Sequence, residues 1–220
     1  MTYIVGGKLD NQPFLMVDCK IENRKENEDV KYLFADKVVS FNSHIDEAFF
    51  CQMGHQLLKH FITMVDYMLT VEKRKIDVFD LKTMRDIFDE INNAFSYSHL
   101  NFMSDDSSLF FISKNDICKY EISFDNEQKK YAVRWQVKIK NNKCLTSNSP
   151  EERNVNCVEG DLKEFCKWII VQERRREIDD LKDRFTFISS DGNKLNYEYP
   201  YLSKNDIINQ FASMGFDKLE

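Results

Sequence analysis

Glycine and proline are scarce, with six Gly and three Pro among 220 residues, which excludes a collagen-like or low-complexity chain. No apolar run approaches the roughly 20 residues that a helix needs to cross a bilayer, so no membrane partner is expected. The start, Met1-Thr2-Tyr3-Ile4-Val5, lacks the basic region and long apolar stretch of a signal peptide, and a cytoplasmic location is expected. The six cysteines form no C-x-x-C pair and no Cys/His cluster of zinc spacing, so reduced, partly buried thiols are expected rather than disulfides. There are four histidines, and His55 and His60 stand five apart, off any shared helical face; no metal site is expected. There is no G-x-S-x-G elbow. The only Gly-Gly pair, Gly6-Gly7, lacks the rest of a phosphate-loop or dinucleotide signature, so no cofactor is expected. Basic charge is also in deficit: the net charge is −6, and the one basic run, Arg174-Arg175-Arg176, is followed at once by Glu177, Asp179 and Asp180. Phosphate binding relies on clustered Lys and Arg, so nucleic acid is not an expected partner.

What is present is apolar and aromatic. Hydrophobic residues make up 42% of the chain, with 18 Phe and 9 Tyr, which is the composition of a folded protein. The length suits a single domain over residues 1–220. Residues 3–8 and 14–19 are short β-prone runs around Leu9-Asp10-Asn11-Gln12-Pro13, which has turn chemistry; they predict a hairpin centred on Asp10-Asn11. Partners across such a hairpin have numbers summing to about 21, which returns Asp18 to the neighbourhood of Thr2. Cys19, next along the strand, then points to the opposite face. Residues 22–31 read as a charged loop, and 37–42 and 47–51 as strands. Two helices follow. The first starts near Gly54, with Leu57, Leu58, Phe61, Ile62, Val65, Met68 and Leu69 on one face. The second starts after Asp80, with Met84, Ile87, Phe88, Ile91 and Phe95 inward. Residues 108–113, 117–124 and 131–139 predict a meander, 141–156 a polar loop, 161–181 a third helix, 184–189 and 194–199 closing strands, and 204–214 a short terminal helix. Strand blocks separated by helices give an α+β class, with a four-layer α-β-β-α sandwich of two mainly antiparallel sheets as the expected architecture.

The amino-terminal residues carry a resemblance. Thr2-Tyr3-Ile4-Val5-Gly6, then Phe14-Leu15-Met16-Val17-Asp18, then Lys37-Val38-Val39 and a Gly54 ahead of the first long helix stand in the order found at the mature start of proteasome-type β-subunits. The sequence thus resembles the N-terminal-nucleophile hydrolases, in particular bacterial proteasome-like threonine peptidases. The motif match covers about the first 55 residues, and the remainder agrees in its order of elements.

The resemblance implies catalytic residues Thr2, Asp18, Lys37 and Gly54. Once Met1 is removed, the Thr2 hydroxyl is the nucleophile and its own α-amine the base. Lys37, held by Asp18, supplies positive charge, with Lys31 as a competing candidate for that role. The backbone N–H near Gly54 donates to the oxyanion. The implied substrate is a peptide or protein amide, and the implied assembly a ring-like homo-oligomer; no residue specifies a partner ATPase. Two features depart from the family pattern. The stretch Asn156-Cys157-Val158-Glu159-Gly160, where a supporting Ser is expected, has none, and a supporting Asp has only Asp179 and Asp180 as candidates. Segment 22–31 carries Glu22, Arg24, Lys25 and Glu26 beside the catalytic hairpin. These departures keep open a catalytically inactive scaffold or binding subunit on the same fold. A third reading, without the family, is an α+β interaction module acting through an acidic surface.

Overall fold

The computed structural model describes residues 3–23, 31–34, 37–42, 47–53, 58–95, 106–155, 162–163, 165–166, 169, 184–189 and 194–198. Asp10 and Asn11 both adopt left-handed backbone, with φ of 48° and 64°. Positive φ at both central residues gives the two-residue turn whose twist matches its flanking strands, and Asp and Asn tolerate that region better than other non-glycine residues. Strands β1 (Ile4–Leu9) and β2 (Gln12–Asp18) therefore pair with Ile4 opposite Val17 and Leu9 opposite Gln12, the register expected from the sequence.

This hairpin is the centre of a six-stranded antiparallel sheet, in the order β11-β10-β1-β2-β12-β13. Strands β12 (Arg184–Ile188) and β13 (Lys194–Glu198) are the closing pair expected near the carboxyl end. Strands β10 (Lys143–Thr146) and β11 (Arg153–Asn154) correct the sequence reading, which assigns residues 141–156 to a loop. Four residues are too few to show alternation, and the Asn and Ser around them mimic turn chemistry. The open edge of β1 decides the matter by pairing Val5 with Thr146 and Lys8 with Lys143. Segment 22–31 is also only partly a loop: its ends belong to a two-stranded ribbon of β3 (Lys20–Asn23) and β4 (Lys31–Phe34).

The second large sheet is antiparallel and runs in chain order: β5 (Val38–Asn42), β6 (Glu47–Met53), β7 (Asp106–Ile112), β8 (Ile117–Asp125) and β9 (Lys130–Lys138). Helices α1 (Leu58–Thr70) and α2 (Leu81–Ala94) lie between β6 and β7 in sequence. Helix α1 is described over Leu58–Thr70, and its expected start near Gly54 lies outside the described residues. Helix α2 begins as expected because Asp80 caps it: its Oδ2 accepts from the Thr83 N–H at 2.8 Å and the Thr83 hydroxyl at 2.7 Å. Those bonds from Thr83 hold the Asp80 carboxyl below its usual range. A depressed folded-state pKa stabilises above the unfolded value and is lost as pH falls. Asp80→Ala is thus expected to lower the melting temperature at neutral pH, with the gap to wild type closing below about pH 4, checked by thermal melts across that range.

Three apolar clusters hold these elements. Phe61, Val65, Met84 and Phe88 of the helices pack on Leu109, Phe111, Tyr120, Phe124 and Tyr131 of the five-stranded sheet. Ile4, Leu15, Val17, Leu145 and Ile188 meet Val38, Phe110, Ile112 and Ile117 where the two sheets face each other. Tyr3, Val5, Phe14, Met16, Cys144 and Phe187 pack on Leu162, Phe165, Cys166 and Ile169. The last four lie in the stretch expected to be the third helix. No helix among the described residues is long and apolar enough to cross a membrane.

Gly6 and Gly7 owe their place to close packing rather than to any phosphate loop. A Cβ on Gly6 would lie 2.8 Å from Phe110, and one on Gly7 2.8 Å from the Lys143 carbonyl oxygen. The second contact is with backbone and can relax only by loosening β10 from β1. Gly7→Ala is expected to destabilise the fold by about 1–3 kcal/mol, read from urea unfolding.

Candidate active site

The start of β1 is held on both sides. Toward β2, the Asp18 N–H donates to the Tyr3 carbonyl at 3.1 Å, and the Tyr3 N–H donates to Asp18 Oδ1 at 2.9 Å. The second bond uses a side chain where the ladder would use a carbonyl, so the carboxylate is fixed at the strand end. Toward β10, the Ser147 N–H donates to the Ile4 carbonyl at 2.9 Å, and the Ile4 N–H donates to Ser147 Oγ at 3.2 Å. Cys19 lies against Thr186, with Sγ 3.2 Å from the Thr186 hydroxyl.

Lys37 brings a cation to this end of the sheet. It stands just before β5, on the opposite sheet, and its Nζ lies 2.9 Å from Asp18 Oδ1. The side chain of Lys37 is 12% exposed and that of Asp18 only 1%. A pair this dry is little screened by salt, and removing one member leaves the other's charge in a poorly hydrated place. The ion pair also joins the two sheets beside residue 3. In chemical terms it sets a positive charge, oriented by a buried carboxylate, next to Tyr3.

Of the four residues expected to form the site, the structure brings Asp18 and Lys37 together. Thr2 and Gly54 are outside the described residues, as are Asp179, Asp180 and residues 156–160. Lys31 begins β4, and its side chain is likewise outside them. Two residues at this end escape the sequence reading. Ser147 lies in the segment taken for a loop; the signal was the β-prone Cys144-Leu145-Thr146 just before it. Lys119 lies in the apolar run Ile117–Phe124, and its Nζ is 3.2 Å from the Ser147 carbonyl. Its cue was a charge paired with Glu121 at the two-residue spacing that places both on one face of a strand.

Among the described residues, the cysteines do not offer a reactive alternative. Cys19, Cys118, Cys144 and Cys166 are buried. Burial pushes the Cys118 thiol up to about 12, so it stays protonated and unreactive at neutral pH. Cys118 is expected to resist iodoacetamide at pH 8 in the native protein and to react once denatured, as peptide mapping would show.

No known protein-family pattern and no curated protein matches the sequence. Solved structures do match in shape. A Gly-1 mutant of Anbu from Hyphomicrobium sp. strain MC1 superposes with a TM-score of 0.55 at 9% identity, over 100% of this chain and 98% of that one. The chain has the Anbu fold. Anbu from Yersinia bercovieri, described as an ancestral beta-subunit, gives 0.53 at 8% identity, over 96% and 94% of the two chains. A second Hyphomicrobium Anbu structure gives 0.53 at 8%, over 99% and 98%. The likeness to Anbu runs through the whole chain, well beyond the 55 residues that carry the amino-terminal motif. At such identities it speaks for the fold, and chemistry rests on the residues themselves.

Proposed function

We propose that the protein is an amino-terminal threonine hydrolase of peptide amides, built as a four-layer α-β-β-α sandwich and assembled as a ring-like homo-oligomer in the cytoplasm. The observation that carries this reading is the Asp18–Lys37 ion pair, which reaches from one sheet to the other and also holds the Tyr3 N–H. After removal of Met1, the Thr2 hydroxyl attacks the substrate carbonyl and passes its proton to the Thr2 α-amine. The Lys37 ammonium favours the developing alkoxide, and Asp18 keeps Lys37 in place. The N–H at Gly54 stabilises the oxyanion. The leaving amine takes the proton, and water then hydrolyses the Thr2 ester. The Anbu fold supports the architecture, and the described beta-subunit character of one Anbu supports assembly.

The test is hydrolysis of short acyl-peptide amides by untagged protein, with Thr2→Ala as control and size-exclusion chromatography for the assembly. Turnover in a large oligomer, lost in Thr2→Ala, is the expected result. Equal turnover in the two proteins overturns the assignment of Thr2.

A further inference from the structure

Lys119 has no solvent exposure at all, and buried lysines are rare because desolvating an ammonium is costly. Its Nζ meets four acceptors: the carbonyls of Thr146, Ser147 and Ser149 at 3.0, 3.2 and 3.1 Å, and Glu121 Oε1 at 2.7 Å. An ammonium has three protons to give, so its donor capacity is fully used. The rings of Phe110 and Trp135 close over it at 5.9 and 5.7 Å. The Ser108 hydroxyl joins the group, 3.1 Å from Glu121 Oε1 and 3.3 Å from the Ser147 carbonyl.

The geometry links two sheets at one point. Lys119, Glu121 and Ser108 belong to β8 and β7 of the five-stranded sheet, whereas the three carbonyls belong to the end of β10 and the residues after it, in the six-stranded sheet. An apolar side chain would fill the same volume without the desolvation penalty, but it would leave three inward-facing carbonyls without this donor. The gripped segment includes Ser147, which exchanges hydrogen bonds with both the N–H and the carbonyl of Ile4. Ile4 is two residues from Thr2, on the strand whose other side is held by Asp18.

We infer that Lys119 is a positioning residue for the amino-terminal site: it fixes segment 146–149 from the opposite sheet, and through Ser147 it fixes the start of β1. Lys37 and Lys119 thus hold the two flanks of β1 from the same facing sheet. The effect on chemistry rests on the threonine-hydrolase reading, whereas the effect on the strand does not.

The experiment uses Lys119→Met in the full chain, with two readouts. Hydrogen exchange is measured at the Ile4 and Ser147 amides, with α2 as internal reference. Covalent modification of Thr2 by a β-lactone is followed for both its rate and the fraction of protein modified. The expected result is exchange at least tenfold faster at those two amides with α2 unchanged, and modification about tenfold slower or more at an unchanged final fraction. A role confined to stability would lower the fraction modified and leave the rate per folded molecule alone. Unchanged exchange at Ile4 and Ser147 overturns the inference. Faster exchange with an unchanged rate overturns its catalytic part. Faster exchange in a protein whose wild type is never modified leaves the strand anchor standing and overturns the hydrolase instead. Should Lys119→Met not fold, Ser108→Ala gives the same decision, with a smaller expected increase in exchange at the same amides.

Discussion

Lys37→Met is expected to slow covalent modification of Thr2 by about 100- to 1,000-fold, the range typical when a preorganised group that stabilises developing negative charge is lost. Methionine keeps most of the length and apolar stem of lysine, so the change removes the charge with little change in packing. The effect should fall on the rate of modification, because Lys37 is held by Asp18 beside Tyr3. The fold should persist at a cost of about 3–5 kcal/mol, because the buried Asp18 carboxylate loses this cation but still accepts the Tyr3 N–H, and the sheets still share the apolar cluster around Ile4, Val38 and Phe110. Thermal melts beside inactivation kinetics separate the two quantities. An unchanged rate in a folded Lys37→Met protein would remove Lys37 from the chemistry.

Asp18→Ala is the complementary change, and its largest effect is on stability. It takes the carboxylate from a lysine whose side chain is only 12% exposed and the acceptor from the Tyr3 N–H. Breaking a buried ion pair from one side costs about 3–5 kcal/mol, against a total stability of about 5–15 kcal/mol for a typical domain. Asp18→Ala is therefore expected to melt far earlier than wild type, and to fray first where β1 begins. Asp18→Asn keeps an oxygen for the Tyr3 N–H and loses only the charge. It should recover part of the stability while modification of Thr2 stays slow. Urea unfolding and inactivation kinetics on both variants check the pair of expectations. Equal stability of Asp18→Ala and wild type would contradict the dry ion pair.

The parts of this fold that were legible in the sequence are those set by short-range rules. The turn at Asp10-Asn11 fixes the register of β1 and β2, and with it the return of Asp18 to residue 3. Helical spacing found Met84, Ile87, Phe88 and Ile91 on the buried face of α2, and Asp80 marked its start. Phe95, expected inward, is instead the C-cap residue and 45% exposed, because the helix ends before it. The meander of β7, β8 and β9 was legible as three β-prone runs that follow one another in the chain. The motif at the amino terminus pointed to the pairing of Asp18 with Lys37, which spans two sheets and which no local rule would supply.

The misses are long-range. Strand β10 exists because β1 offers it an edge more than 130 residues earlier in the chain, as the pairing of Val5 with Thr146 shows. A four-residue segment between Asn141-Asn142 and Ser147-Asn148-Ser149 carries no period of its own. Ser147 was missed with it. Lys119 was missed because a lysine in an apolar strand reads as a solvated position, and only the facing carbonyls of residues 146, 147 and 149 show why it is buried. The Gly6-Gly7 pair was seen but not explained, because its cause is the approach of Phe110 and of the Lys143 carbonyl, both remote in sequence.

The central claim is that Thr2 is the nucleophile of this site, and the intact mass of the purified, untagged protein before and after incubation with an epoxyketone or β-lactone tests it most directly. The account predicts a mass lacking Met1, a single adduct after incubation, and that adduct mapped to Thr2. A mass that retains Met1, with no adduct under the same conditions, would contradict it and leave an inactive scaffold on the Anbu fold.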